Sequence, residues 1–168
     1  MSDRAPAQAW LALGLLAATL ALVAWRLVPP RALPVTAPPT VFSAHRTVAM
    51  LERLAPEELP RPVGSVEHDL GLERLRRALV ELGVSAEATR HQLCGRYGAC
   101  AEVTNLLAEI PGERPEALLL VAHYDSVPTG PGAADDGIAV ASVLEITRAL
   151  RASPPLGHTL LLLFTDGE

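Results

Sequence analysis

The stretch from Leu118 to Asp136, LLLVAHYDSVPTGPGAADD, limits the possible folds more than any other part of the chain. The apolar run Leu118–Ala122 reads as a buried strand, and it ends in His123, Tyr124 and Asp125. A stiff turn follows, punctuated by Pro128, Gly130, Pro131 and Gly132, and Asp135 and Asp136 then open a helical pattern that runs from Gly137 to Leu150. After Pro154, Pro155 and Gly157 comes Thr159–Phe164, an almost wholly apolar strand of the kind buried on both faces in parallel sheets. Strand, helix and strand in this order predict a right-handed crossover. A histidine at the end of one strand and a carboxylate at the start of the helix then meet at the carboxyl edge of the sheet, where open α/β sheets place their ligands. Imidazole beside carboxylate suits a divalent metal, zinc first.

The 168 residues allow one modest domain with additions, and nearly half of them are hydrophobic, enough for a real core. The net charge of −5, with no basic stripe, argues against nucleic acid as a partner. Lysine is absent and arginine supplies every basic side chain other than histidine; no function follows from that bias. Cys94 and Cys100 are the only cysteines, too few for a structural zinc site.

Residues 1–8 form a short polar start. Residues 9–28 are expected to be a transmembrane anchor: Ala9–Trp25 carries no charge, and Trp10 and Trp25 stand about 22 Å apart along a helix, as interfacial aromatics do. Arg26 can snorkel, and no small-residue cleavage site follows the apolar run, which favours a retained anchor over a cleaved signal. Residues 29–42, with five prolines, read as an extended linker, and residues 43–168 as the soluble domain. Ser43 caps a helix to Leu54, and Ser65 caps a second helix to about Leu82, ended by Gly83. Strands are expected over Val84–His91 and Val103–Ile110, with the cysteines at a hairpin-like tip between them.

His123, Asp135 and Glu168 would share one sheet edge, because each follows an apolar strand or opens the intervening helix. Taken singly, each has a plainer reading: a structural histidine, a helix cap, a solvated glutamate. Together, His123-Tyr-Asp125-Ser, Pro-Gly-Ala-Ala-Asp135-Asp136 and Phe-Thr-Asp-Gly-Glu168 resemble the motifs of metallopeptidase family 28, the two-zinc aminopeptidases and their relatives, and above all its membrane-bound endoplasmic reticulum and vacuolar branch. Arg61-Pro-Val-Gly-Ser65, Asn105 and Ile110-Pro-Gly112 also match that pattern, so the resemblance covers about Phe42 to Glu168.

The resemblance implies an α/β fold with a mixed, largely parallel sheet covered by helices. It implies that His123 binds one zinc, that Asp135 bridges two zinc ions, and that Asp125 orients His123. The Asp135–Asp136 peptide is implied to be cis, and Glu168 to be the general base acting on a zinc-activated water. Family members continue with a second glutamate and supply a further aspartate and histidine later. The chain is therefore expected to be an N-terminal part of the enzyme, inactive alone, whose complete form hydrolyses peptides, as an aminopeptidase. Metallopeptidase family 20 is a weaker match, since its members separate the first histidine from the bridging aspartate by a much longer insert. Glutaminyl cyclase-like transferases, with one zinc, and a non-catalytic receptor-like ectodomain of the same fold are the alternatives.

The partners expected are a peptide substrate and, through the N-terminal helix, membrane lipid; the oligomeric state is not legible. Arg26 and Arg31 after the span favour retention of the C-terminal side in the cytoplasm. The signal-like N-terminus, the cysteine pair and the resemblance together outweigh them, so the catalytic domain is expected outside the cytoplasm, with Cys94 and Cys100 joined as a disulfide.

Overall fold

In a computed structural model the chain is described over residues 4–95, 98 and 100–167, with side chains from Gln8 onward. It divides into two units, the first ending at Arg31. The first unit is the helix α1, Arg4–Arg26. Its segment Gln8–Arg26 is long and apolar enough to cross a membrane, and none of that segment is buried within the protein. Between Trp10 and Trp25 it carries only Leu, Ala and Val with one Gly and one Thr, and so has no charged face. The Arg26 guanidinium stacks on the Trp25 ring at 5.7 Å, where a charge and an amphipathic ring can both sit at an interface.

Among its described residues the second unit holds three α-helices and four strands. The helices are α2 (Ala44–Leu54), α3 (Val66–Glu81) and α4 (Ile138–Arg151). The strands are β1 (Ala86–Cys94), β2 (Cys100–Ile110), β3 (Arg114–His123) and β4 (His158–Thr165). Ser43 and Ser65 cap α2 and α3, their hydroxyls accepting from the N–H groups of Arg46 and His68. The sheet order is β1-β2-β4-β3. β3 and β4 pair in parallel across the α4 crossover, whereas β1–β2 and β2–β4 are antiparallel. The sheet is thus mixed as expected, with its parallel part confined to the β3–β4 pair.

Register sorts the sheet into two unlike faces. Leu106, Phe164 and Ala122 form one row, and Ala108, Leu162 and Leu120 the next. This face packs with Leu75 and Leu79 of α3 and with Val140, Ala141 and Leu144 of α4 in one core. Burying each leucine there contributes about 1.5–3 kcal/mol. The opposite rows are Leu107–Leu163–Val121 and Glu109–Leu161–Leu119, and Leu107, Val121 and Leu119 on them are exposed.

The proline-rich segment departs from an extended linker. From Leu33 to Phe42 it lies folded against α2 and α4. The Ser43 hydroxyl donates to Leu33 O and Pro34 O, Arg46 donates to the carbonyls of Val35, Ala37 and Val41, and Arg148 donates to Pro39 O and Val41 O. Glu145, 2 % exposed, accepts from both arginines and from Ser43 N–H. So proline-rich a stretch has few backbone N–H groups to pair its carbonyls, and the two arginine forks supply donors to those of Val35, Ala37, Pro39 and Val41. A composition-based reading has no access to those distant donors.

Cys94 and Cys100 face each other at the end of the β1–β2 register and are joined as a disulfide.

Candidate active site

β3 is apolar from Ala117 to Ala122 and turns polar at His123, so its carboxyl end delivers the imidazole to the sheet edge. The chain then runs through Tyr124, Asp125 and Ser126, all buried, into the Pro/Gly turn. Gly132 has φ +65°, and a Cβ there would lie 2.6 Å from the Ser126 Cβ, so only glycine lets the turn close this tightly. The following turn, Ala133–Gly137, is closed by Gly137 N–H donating to Gly132 O, and α4 begins at its end. Asp135 and Asp136 have non-helical backbone angles, and the peptide between them is cis.

This turn sets two carboxylates around His123. Asp135 Oδ1 lies 3.2 Å from His123 Nε2, and Asp136 Oδ2 accepts from His123 N–H at 3.3 Å. On the other side of the ring, Asp125 Oδ1 lies 3.3 Å from Nδ1. The Asp125 side chain is 6 % exposed and that of Asp135 87 %. The imidazole therefore sits between a buried carboxylate and an open one. An imidazole that donates Nδ1–H to Asp125 presents its Nε2 lone pair towards Asp135 Oδ1, so two acceptors converge. A divalent cation touching both removes that conflict, and the donor set, one imidazole nitrogen and one carboxylate oxygen, suits zinc. Among the described residues, no group of three or more His, Cys, Asp or Glu side chains is arranged to hold a metal ion. His123 and Asp135 thus fit as two members of a ligand set. They border a cleft of about 550 Å³ whose walls include Pro62, Val63 and Pro131.

The structure brings His123, Asp125 and Asp135 together; Glu168 lies outside the described residues. It also shows four buried polar side chains to which the sequence analysis gave no role, those of Arg61, His68, Tyr124 and Asp166. Arg61, 6 % exposed, donates from Nε to Tyr124 O at 3.3 Å and from its terminal nitrogen to Pro131 O at 2.9 Å. Asp166, next after β4, accepts from His68 Nε2 at 2.8 Å and from Thr104 N–H at 2.8 Å. Its own N–H donates to Asn105 Oδ1, and the Tyr124 ring stacks on His68 at 5.2 Å. Burial by itself would lower the His68 pKa, but the Asp166 carboxylate outweighs it and holds the ring above the ordinary histidine value. Burial works to raise Asp166, and the bonds from His68 and Thr104 overcome it, leaving the carboxyl below its usual range. Burial pushes the Tyr124 hydroxyl far above the ordinary tyrosine range, and it donates to Thr104 O at 2.8 Å. A histidine in the first turn of a helix carries no local signal of such a role; the only hint was its place just after the Arg61–Ser65 motif.

Known proteins share both parts of this picture. The model of Peptidase family M28 matches residues 105–168. The vacuolar membrane protease of Tuber melanosporum is 42 % identical over 76 residues, 40 % of this chain and 8 % of the relative. The mouse endoplasmic reticulum metallopeptidase 1 is 38 % identical over 69 residues, 39 % of this chain and 8 % of the relative. Each alignment thus spans less than a tenth of the relative's length. Among solved structures, Porphyromonas gingivalis glutaminyl cyclase superposes with a TM-score of 0.69 and 29 % identity, covering 76 % of this chain and 46 % of that one. A Zn-dependent exopeptidase from Parabacteroides distasonis gives 0.66 and 25 %, covering 76 % and 47 %. Residues 105–168 therefore carry the sequence pattern of Peptidase family M28, on a fold shared with zinc exopeptidases and glutaminyl cyclases.

Proposed function

We propose that the complete protein is a membrane-anchored, zinc-dependent peptidase that removes amino-terminal residues from peptides. The observation that carries this reading is the convergence of His123 Nε2 and Asp135 Oδ1 at 3.2 Å, with Asp125 behind the ring, at the carboxyl edge of β3. His123 would hold one zinc ion, and the exposed Asp135 carboxylate would bridge to a second. Bound zinc supplies Lewis-acid polarisation of the scissile carbonyl and a water acidic enough to ionise near neutral pH. Asp125 keeps the imidazole in the tautomer that presents Nε2 and fixes its plane. Glu168, three residues beyond β4, is the proposed general base: it takes a proton from the attacking water and returns it to the leaving amine. Zinc uses about four ligands and the described residues bring two donors together, so the 168-residue stretch alone is proposed to be inactive.

α1 is the proposed anchor, with the catalytic domain outside the cytoplasm, where the Cys94–Cys100 disulfide is stable. The superposition on glutaminyl cyclases supports a second reading, a transferase that cyclises amino-terminal glutamine. Products separate the two: free amino acids from a peptidase, ammonia and a blocked peptide from a cyclase.

The test is Glu168→Gln in the complete protein. Zinc content is expected to stay unchanged while kcat for peptide hydrolysis falls by about 10²–10⁴-fold, the usual worth of a general base. Near-normal kcat would place the base elsewhere in the protein.

A further inference from the structure

The two segments that set the His123–Asp135 separation are the 124–126 stretch after β3 and the 131–137 turn before α4. They share no sheet or helix ladder; one direct bond between β3 and the turn, from His123 N–H to Asp136 Oδ2, is long at 3.3 Å, which leaves room for a further brace. Arg61 touches both. Its backbone pairs with Ser126 in both directions: Arg61 N–H donates to Ser126 Oγ at 2.7 Å, and Ser126 N–H donates to Arg61 O at 3.0 Å. Its guanidinium donates to Tyr124 O on one side and to Pro131 O on the other. It also lies under the turn that carries Asp135, since a Cβ added at Gly132 or at Gly137 would come within 3.6 Å of its second terminal nitrogen. Behind it the fit is equally close, a Cβ at Gly71 of α3 meeting the Arg61 Cδ at 3.1 Å.

We infer that Arg61 is a positioning residue for the metal centre: it sets the distance between His123 and Asp135 by holding the carbonyls of Tyr124 and Pro131 on one rigid planar fork. This rests on the metal-site reading above. The guanidinium suits the task because its donors are fixed in one plane, so both carbonyls are held at a set spacing. An ammonium on a flexible stem supplies the same charge without that spacing. Asp125, on the loop that Arg61 holds, favours the cation electrostatically against the desolvation that works to lower its pKa. The arginine thus balances the buried carboxylate that backs His123 while remaining outside the set of metal donors.

The test is Arg61→Lys in the complete protein, with Arg61→Met beside it. Three quantities are read: zinc affinity by chelator competition, amide exchange over residues 131–137 against α4, and kcat and KM. The expectation for Arg61→Lys is a folded protein whose zinc affinity drops about 10–100-fold, the range for residues that orient metal ligands. Exchange at Gly137 N–H should accelerate while α4 stays protected. Arg61→Met should weaken zinc at least as much in whatever fraction folds. Wild-type zinc affinity in Arg61→Lys, or faster exchange throughout α4 and the sheet with zinc affinity kept, overturns the inference and leaves Arg61 as an ordinary anchor. A wild-type protein that binds no zinc overturns the metal-site reading itself, and this inference with it.

Discussion

Two histidine–aspartate pairs lie near the same sheet edge, and they are built for opposite ends. His68 and Asp166 are closed: their side chains are 5 % and 0 % exposed, and each Asp166 oxygen has its own donor, His68 Nε2 or Thr104 N–H. His123 and Asp135 are open: the Asp135 side chain is 87 % exposed, and the imidazole reaches it from the wall of a cleft. The closed pair ties three distant segments together, the first turn of α3, the middle of β2 and the end of β4. The open pair spans only 12 residues, with Asp125 behind the ring and Arg61 beneath the turn. A carboxylate that already holds two donors has little to offer a metal. One that meets a single imidazole nitrogen at 3.2 Å and is otherwise open keeps lone pairs for a cation. Exposure and partner count, more than residue type, separate a strut from a site.

The sharpest way to test that contrast is to delete each histidine. His68→Ala leaves Asp166 buried without its charged partner, and removing one member of a buried pair costs about 3–5 kcal/mol. Hydrogen exchange over β2 and β4 is expected to rise accordingly, with zinc content of the folded fraction intact. His123→Ala should do the reverse: zinc is lost from the complete protein, while protection of the sheet core changes by less than about 1 kcal/mol, as for substitutions outside the packed core. If His68→Ala loses zinc and stays stable, the two pairs have been assigned the wrong way round.

Much of the open pair was legible because its parts are local. The apolar run into His123, the Pro/Gly turn and the Asp135-Asp136 doublet are contiguous, and each element boundary around them follows from hydrophobic period and punctuation. The caps at Ser43 and Ser65 were equally plain, as short polar residues just ahead of amphipathic runs. The closed pair was not legible, because His68 and Asp166 are 98 residues apart and only the sheet order brings them together. The same holds for Arg61, 65 residues from Ser126, and for the arginine forks that fold Leu33–Phe42 back on the domain. Buried polar partners chosen across long sequence separations leave no periodic trace.

A smaller effect should come from Asp125→Asn. The change keeps the shape but replaces an acceptor-only carboxylate with an amide that can present either a donor or an acceptor to Nδ1. The imidazole then loses its tautomer preference, and zinc affinity in chelator competition is expected to fall about 10–100-fold. Sheet stability should be little altered, because the charged pair at Asp166 is untouched. Unchanged affinity would mean that the ring is oriented by something other than Asp125.

The least of these effects is a pH dependence confined to the closed pair. The His68 pKa is raised above the ordinary value of 6.5, so the stability this group contributes is fully present below pH 6.5 and is lost as pH rises through its folded-state value. The Asp166 pKa is held below the ordinary 3.8, so its contribution is present above pH 3.8 and is lost as pH falls through its folded-state value. The two conditions overlap between about pH 4 and 6.5, where the ion pair is fully formed and contributes most. The reporter is Thr104 N–H, which donates to Asp166 and is far from solvent. Its exchange, corrected for the intrinsic rate, should be slowest inside that window and should quicken on both sides. In His68→Gln the alkaline arm disappears, because no group on that side of Asp166 then loses a proton. An alkaline arm that survives in His68→Gln would show that another titrating group, and not this histidine, closes the strut.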